Sequence, residues 1–316
     1  MSGLLERFRA GERHALARIL TNIENETPLG YEAVRRLSLE TGHAHIIGLT
    51  GPPGAGKSTL AHAIVKQARR LGKTIAVVAI DPTSPFTGGA MLGDRIRMLE
   101  SQHDDGVYLR SMASRGHFGG LTLAAFGAVI ALDAFGFDIV LIETVGAGQD
   151  EIDIVRVADS VILVQTPGMG DSIQAVKAGI LEICDILVVN KADQPGADEV
   201  VRDLREQLRS NTTAGWRVPV LSVTASDGTG VDELVVQLQK HRSIAEEQET
   251  LEQRQEARVN HHARMLAVRQ LTEYLNGEFT TDCMSADPVA RSADMIESFI
   301  EAFERQEHPA DHSPEE

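Results

Sequence analysis

The chain has 316 residues, 42% of them hydrophobic, and a formal net charge of −16. That length suits one large α/β domain with helical additions, or two small domains. The acidic balance tells against a nucleic-acid binder, which needs a basic surface to displace counterions, and against docking on anionic lipid.

Cys184 and Cys283 are the only cysteines. They form neither a CxxC pair nor a metal spacing, so a disulfide framework is not expected and a cytoplasmic, reducing setting fits. The first twenty residues lack the apolar core and cleavage site of a signal peptide. The most apolar long stretch, Ala124 to Ile142, is broken by Asp133 and Asp138. It reads as a buried helix followed by a strand, not as a membrane span.

In chain order, two short helices are predicted first. Leu4, Leu5, Phe8, Leu16, Ile19 and Leu20 give the first an apolar face, and Tyr31 to Glu40 form the second. Buried-strand patterns follow at Ala44–Leu49, Thr74–Ile80, Val107–Arg110, Asp138–Glu143, Ser160–Gln165, Ile186–Asn190 and Val218–Val223. Helical patterns lie between most of them. Fully apolar strands alternating with helices imply a mainly parallel central sheet covered on both faces. Ile244 to Asn276 reads as one long helix, with an apolar stripe at Met265, Val268, Leu271 and Leu275. Ile296, Phe299, Ile300 and Phe303 mark a last amphipathic helix. The expected organisation is a helical extension over 1–42, a P-loop domain over 43–242 and a helical dimerisation region over 243–316.

Gly51-Pro52-Pro53-Gly54-Ala55-Gly56-Lys57-Ser58-Thr59 fits the phosphate-binding pattern G-x-x-x-x-G-K-[ST], between a predicted strand and a predicted helix. Several backbone N–H groups must meet phosphate oxygens at once, and the glycines let the backbone approach. The helix amino end adds a favourable dipole. Lys57 is placed to reach the β- and γ-phosphates, and the Ser58 hydroxyl to ligate Mg²⁺. Asp81 and Glu143 each end an apolar strand on the side that faces a ligand crevice. Asp94, in Leu92-Gly93-Asp94-Arg95, is a third candidate acid for magnesium. Glu143-Thr144-Val145-Gly146 stands where GTPases carry D-x-x-G, so Gly146 is a candidate γ-phosphate sensor. Ala147 follows it, where Ras-like enzymes place the glutamine that orients water, and Gln149 comes two places later. Slow intrinsic hydrolysis is therefore expected. Arg115 is a weak candidate for an arginine finger; a surface arginine is the plainer account.

Asn190-Lys191-Ala192-Asp193 ends another strand and is an N-K-x-D element. Asp193 can accept from guanine N1–H and the 2-amino group. Adenine offers no donor there and would leave the carboxylate unpaired. Thr224 and Ala225, in Ser222-Val223-Thr224-Ala225, resemble the loop whose alanine N–H meets guanine O6. The residues thus point to GTP and GDP.

The chain closely resembles the MeaB/ArgK/MMAA group, the G-protein chaperones of cobalamin-dependent acyl-CoA mutases. The stretches that carry this are GPPGAGKSTL, AIDPTSPFTGGAMLGDRIRM, RSMASRGHFGGL, FDIVLIETVGAGQDE, TPGMGDSIQAVKAGILEI and VVNKAD. The resemblance implies a SIMIBI-class G domain, a homodimer through the C-terminal helices, and GTP-gated delivery and protection of adenosylcobalamin on a mutase. A cobalamin adenosyltransferase is a further implied partner. By position, Lys57, Ser58, Asp81, Asp94 and Glu143 match the family's nucleotide and magnesium residues, and Asn190, Lys191 and Asp193 its base readers. Gly168 to Gln174 matches a switch loop, with Ser172 where the family carries an acid; Pro85-Phe86 also departs from the pattern. Both changes bear on which mutase is served. Two alternatives stay open: a nickel-delivery GTPase, for which His43, His45, His261 and His262 read as isolated surface histidines, and a transport-linked ATPase or kinase, against which N-K-A-D speaks.

Overall fold

Seven apolar runs form one sheet of wholly parallel strands: β1 (His45–Thr50), β2 (Ile75–Asp81), β3 (Val107–Ala113), β4 (Ile139–Thr144), β5 (Ser160–Gln165), β6 (Ile186–Asn190) and, after a short antiparallel pair, β9 (Val220–Val223). The pair is β7 (Thr212–Thr213) with β8 (Trp216–Arg217). The strand order is β3-β2-β4-β1-β5-β6-β9, so β1 is central. The computed structural model describes residues 2–81, 104–113, 123–144, 153–168, 184–208, 212–213, 215–277 and 295–300. It divides into two units, Met1–Val259 and Asn260–Glu316.

In the first unit, helices cover both faces. Helix α4 (Lys57–Arg70) buries Leu60, Ile64 and Ala68 against the Ile47, Leu49, Val77 and Leu141 face of the sheet, where α7 (Val231–Glu247) adds Leu234 and Leu238. On the other face, α5 (Leu123–Phe135) packs on β4 and β2. Alternation along β1 sends Ile47 and Leu49 into the first of these layers. Helix α6 (Ala197–Gln207) buries Val201 and Leu204 against Leu187 and Val189.

Three helices, not two, open the chain: α1 (Ser2–Arg9), α2 (Arg13–Glu24) and α3 (Pro28–Leu37). The expected first helix is split at Gly11, whose φ of 81° belongs to no right-handed helix. Its apolar stripe survives the break: Leu5, Phe8, Leu16, Ile19 and Leu20 are all buried. Helix α3 starts before Tyr31 because Thr27 caps it, accepting from Gly30 N–H at 3.1 Å, and Pro28 supplies a preset φ. The expected helix over Ile244–Asn276 is also corrected. Helix α7 runs through His241 to Glu247, Glu249 turns the chain at φ 58°, and α8 spans Thr250–Gly277.

In the second unit, residues 295–300 are helical, and the Tyr274 hydroxyl meets Ser298 Oγ at 2.7 Å with Phe299 5.5 Å from its ring. Val268 of the predicted stripe is 65% exposed. Phe303 and Cys283 lie outside the described residues. Among the described residues, no helix is long and apolar enough to cross a membrane.

The amino-terminal edge of the sheet holds a buried polar chain. Ser160 Oγ lies 2.7 Å from His45 Nε2 and 2.7 Å from His241 Nδ1, and His241 Nε2 lies 3.2 Å from Asp185 Oδ1. One proton placement satisfies every contact: His241 Nε2–H donates to Asp185, Ser160 O–H to His241 Nδ1, and His45 Nε2–H to Ser160. The expectation that His45 and His262 are surface residues is therefore corrected, since each is at most 6% exposed.

Burial lowers the His45 imidazole to about 3, with Arg242 and His241 adding to the effect. The unfolded imidazole titrates near 6.5, so between there and about 3 the unfolded chain binds the extra proton and stability falls with acid. From this residue alone, about 2 kcal/mol should be lost between pH 7 and pH 5. His45→Gln should show a correspondingly flatter fall in urea-unfolding free energy. Equal slopes in the two proteins would refute the assignment.

Candidate functional site

The carboxyl ends of β1, β4, β5 and β6 bring the predicted phosphate and base elements to one edge. The loop after β1 begins at Gly51, with φ 141°, and a Cβ there would sit 2.3 Å from the Val164 carbonyl oxygen of β5. Only glycine lets the loop leave the central strand this closely. Gly56, at φ 87°, sits at the amino cap of α4. Helix α4 starts directly at the end of the loop, so its amino end and favourable dipole lie at the phosphate side.

Lys57 is buried, and its Nζ donates to the Gly51 and Pro52 carbonyls at 2.6 and 3.0 Å. Its charge is held inside the curve of the loop. Ala55 is buried, Pro53 and Gly54 are exposed, and Thr59 is half-buried on the first turn of α4. Ser58 Oγ donates to Glu143 Oε1 at 2.6 Å. Glu143 is 9% exposed and lies opposite Leu49 in the β1–β4 register. The backbone of Asp81 ends β2 on the same edge, one residue past the Ile80–Thr144 pair. A hydroxyl and a carboxylate in contact beside a phosphate loop are hard oxygen donors, the chemistry that suits Mg²⁺.

The base side is tied to the phosphate side through Asn190. Its Nδ2 donates to the Ala55 carbonyl at 2.8 Å, and its Oδ1 accepts from Ala225 N–H at 3.1 Å. Lys191 takes a left-handed φ of 58° and its Nζ donates to the Gly54 carbonyl at 2.9 Å. Ala192 N–H reaches the Val223 carbonyl at 3.1 Å, so the loops after β6 and β9 lie side by side. Asp193 is exposed on the first, and Thr224 is buried on the second. A Cβ on Gly56 would lie 2.4 Å from Asn190 Nδ2, so the glycine also makes room for this tie.

The structure thus brings together Gly51 to Thr59, Glu143, Asn190, Lys191, Asp193, Thr224 and Ala225, with the backbone of Asp81 beside them. Asp94, Arg115, Gly146, Gln149 and most of the Gly168–Gln174 loop lie outside the described residues. Among the described residues, no cluster of three or more His, Cys, Asp or Glu side chains could hold a metal alone. Sequence reasoning missed two features. Thr144 Oγ1 lies 3.3 Å from Thr50 Oγ1 beneath the loop, and the polar chain at the opposite edge links residues far apart in sequence. The signal available for the second was polar residues at the starts of apolar strands.

Known proteins of similar sequence are named as GTPases. The family described as "Methylmalonyl Co-A mutase-associated GTPase MeaB" matches residues 16–279. A Pyrococcus horikoshii protein named as a GTPase is 45% identical over 267 residues, covering 83% of this chain and 84% of its own. The GTPase ArgK of Escherichia coli is 35% identical over 239 residues, covering 73% and 72%. The mitochondrial methylmalonic aciduria type A homolog of Mus musculus is 37% identical over 196 residues, covering 60% of this chain and 46% of its own. The crystal structure of a LAO/AO transport system kinase shares the fold, with a TM-score of 0.69 at 22% identity, covering 96% and 97%. On the family match and these relatives, the chain belongs to the MeaB family of methylmalonyl-CoA mutase-associated GTPases.

Proposed function

We propose that this GTPase is a nucleotide-gated chaperone that controls adenosylcobalamin loading and protection on a cobalamin-dependent acyl-CoA mutase, methylmalonyl-CoA mutase or a relative. The single observation that carries the nucleotide part is the Asn190 bridge from Ala55 to Ala225, which joins a phosphate loop to an N-K-x-D base loop. The mutase part is supported by the family's description and by the mouse relative's name.

In this reading the Gly51–Ser58 loop and Lys57 hold the phosphates, Asp193 reads guanine, and Ala225 N–H meets its O6. Ser58, Asp81, Asp94 and Glu143 hold Mg²⁺ directly or through water. When bound, that ion neutralises charge on the β- and γ-phosphates. Lys57 supplies further positive charge to the same oxygens, and Gly146 senses the γ-phosphate. Ala147 cannot orient water, so intrinsic turnover is slow and a partner accelerates it. The region 243–316 serves as a homodimer contact, the protein works in the cytoplasm, and a cobalamin adenosyltransferase is a second client.

The test is a pull-down of candidate acyl-CoA mutases with the protein bound to a non-hydrolysable GTP analogue, and hydrolysis measured with and without each. Nucleotide-dependent capture and at least a several-fold rate increase are expected with one mutase. No capture and no rate change with any of them would overturn the chaperone reading.

A further inference from the structure

The start of α8 reaches the edge of the sheet opposite the phosphate loop. Arg254 donates to both carboxylate oxygens of Asp185 at 2.8 Å and to the Asp159 carbonyl at 2.6 Å. One turn later, Arg258 donates to Asp159 Oδ1 at 2.9 Å and to the Val157 carbonyl at 2.5 Å. Asp159 and Asp185 are buried, at 2% and 6% exposure. Such carboxylates stay ionised only when paired.

The same two carboxylates hold strand amides. Asp159 Oδ2 accepts from Ile46 N–H at 2.9 Å, and Asp159 N–H donates to the Ile46 carbonyl at 2.7 Å. Asp185 Oδ2 accepts from Val161 N–H at 2.8 Å. His45 and Ser160 add a side-chain contact across the first residues of β1 and β5. Asp159 therefore sets β1 on β5 and Asp185 sets β5 on β6, and α8 pairs both carboxylates at this end of the sheet. At the other end of the same pair, Gly51 sits where even a methyl group would strike Val164 O. Five residues, about 17 Å, separate Ile46 from Gly51. A hydrogen-bonded strand does not compress, so a slip at Ile46 is felt at Gly51.

We infer that Arg254 and Arg258 are positioning residues for nucleotide binding: from α8 they fix β1 against β5 and so fix the phosphate loop. The inference rests on reading Gly51–Ser58 as the GTP site, and goes beyond it by giving α8 control of that site. The helix that feeds the second unit is then an input to the nucleotide switch.

The test uses the full chain. Arg254→Ala and Arg258→Ala are combined with Asp185→Asn and Asp159→Asn, so that no unpaired buried charge remains while both arms of the latch are broken. Affinity for a fluorescent GTP analogue is measured at a temperature where circular dichroism shows the variant folded. Binding about ten-fold weaker than wild type is expected, with KM raised, kcat at saturating GTP little changed, and faster amide exchange at Leu49–Gly51. Wild-type affinity in the folded variant would overturn the inference. Should the variant not fold, the reciprocal effect decides: the GTP analogue must slow amide exchange across Thr250–Val259 in the native protein, and unchanged exchange there overturns the inference as well. Failure of the wild-type protein to bind the analogue at all would instead indict the reading of the loop.

Discussion

Asp193→Asn is expected to weaken GTP binding about 100-fold and to admit xanthine nucleotides. In the proposed base site the carboxylate accepts from both guanine N1–H and the 2-amino group, and losing charged acceptance of this kind costs up to about 3 kcal/mol. An asparagine keeps one acceptor oxygen but turns its other group into a donor, which faces the guanine amino group donor to donor. Xanthine carries a carbonyl at that carbon, and the asparagine N–H₂ suits it. The protein need not reorganise, because the loop is held by Asn190 and Lys191 rather than by Asp193. Competition binding with GTP, XTP and ATP measures the effect. Unchanged GTP affinity with no gain for XTP would remove Asp193 from the base site.

Gly51→Ala should be the most damaging substitution in the phosphate loop. The residue has φ 141° and its new Cβ would lie 2.3 Å from a backbone oxygen of β5. Backbone in a central sheet cannot step aside as a side chain would. Strain and overpacking together should cost about 3 kcal/mol or more of stability, with nucleotide binding lost. Gly54→Ala provides the contrast. Its φ of 78° is left-handed, but nothing lies within 4 Å of the new atom, so only about 1–2 kcal/mol should be lost. Gly56→Ala falls between, because it meets the Asn190 amide, which can move at the cost of the bridge to Ala55. Urea unfolding of the three variants without nucleotide should give the order Gly51 worst, then Gly56, then Gly54. A Gly51 variant as stable as the Gly54 variant would contradict the geometry.

The sheet was legible in the sequence because strands buried on both faces read as unbroken apolar runs. His45–Thr50, Ser160–Gln165 and Ile186–Asn190 lie within a residue of their expected spans. The helix breaks at Gly11 and Glu249 were missed for one reason: an apolar stripe can continue across a turn, and periodicity sees the stripe. The phosphate and base elements were legible because each is local, a few residues with fixed chemistry. A tie from Asn190 to the phosphate-loop side was legible as well; its particular partners, Ala55 and Ala225, were not, since strand order decides them. The same limit hid the edge at Asp159 and Asp185, whose partners lie on α8. A buried aspartate at a strand start looks like any polar loop residue until its arginine is found.

The central place of β1 has a consequence for synthesis. Its two neighbours, β4 and β5, lie roughly 90 and 115 residues further along the chain. At ~5–20 residues per second, the apolar segment His45–Thr50 waits about 5 to 20 s on the ribosome before the first of those partners exists. During that time its backbone lacks both strand partners, and only α4 is on hand to cover Ile47 and Leu49. Mutations that slow release of β4 and β5 should then lower yield without changing the finished fold.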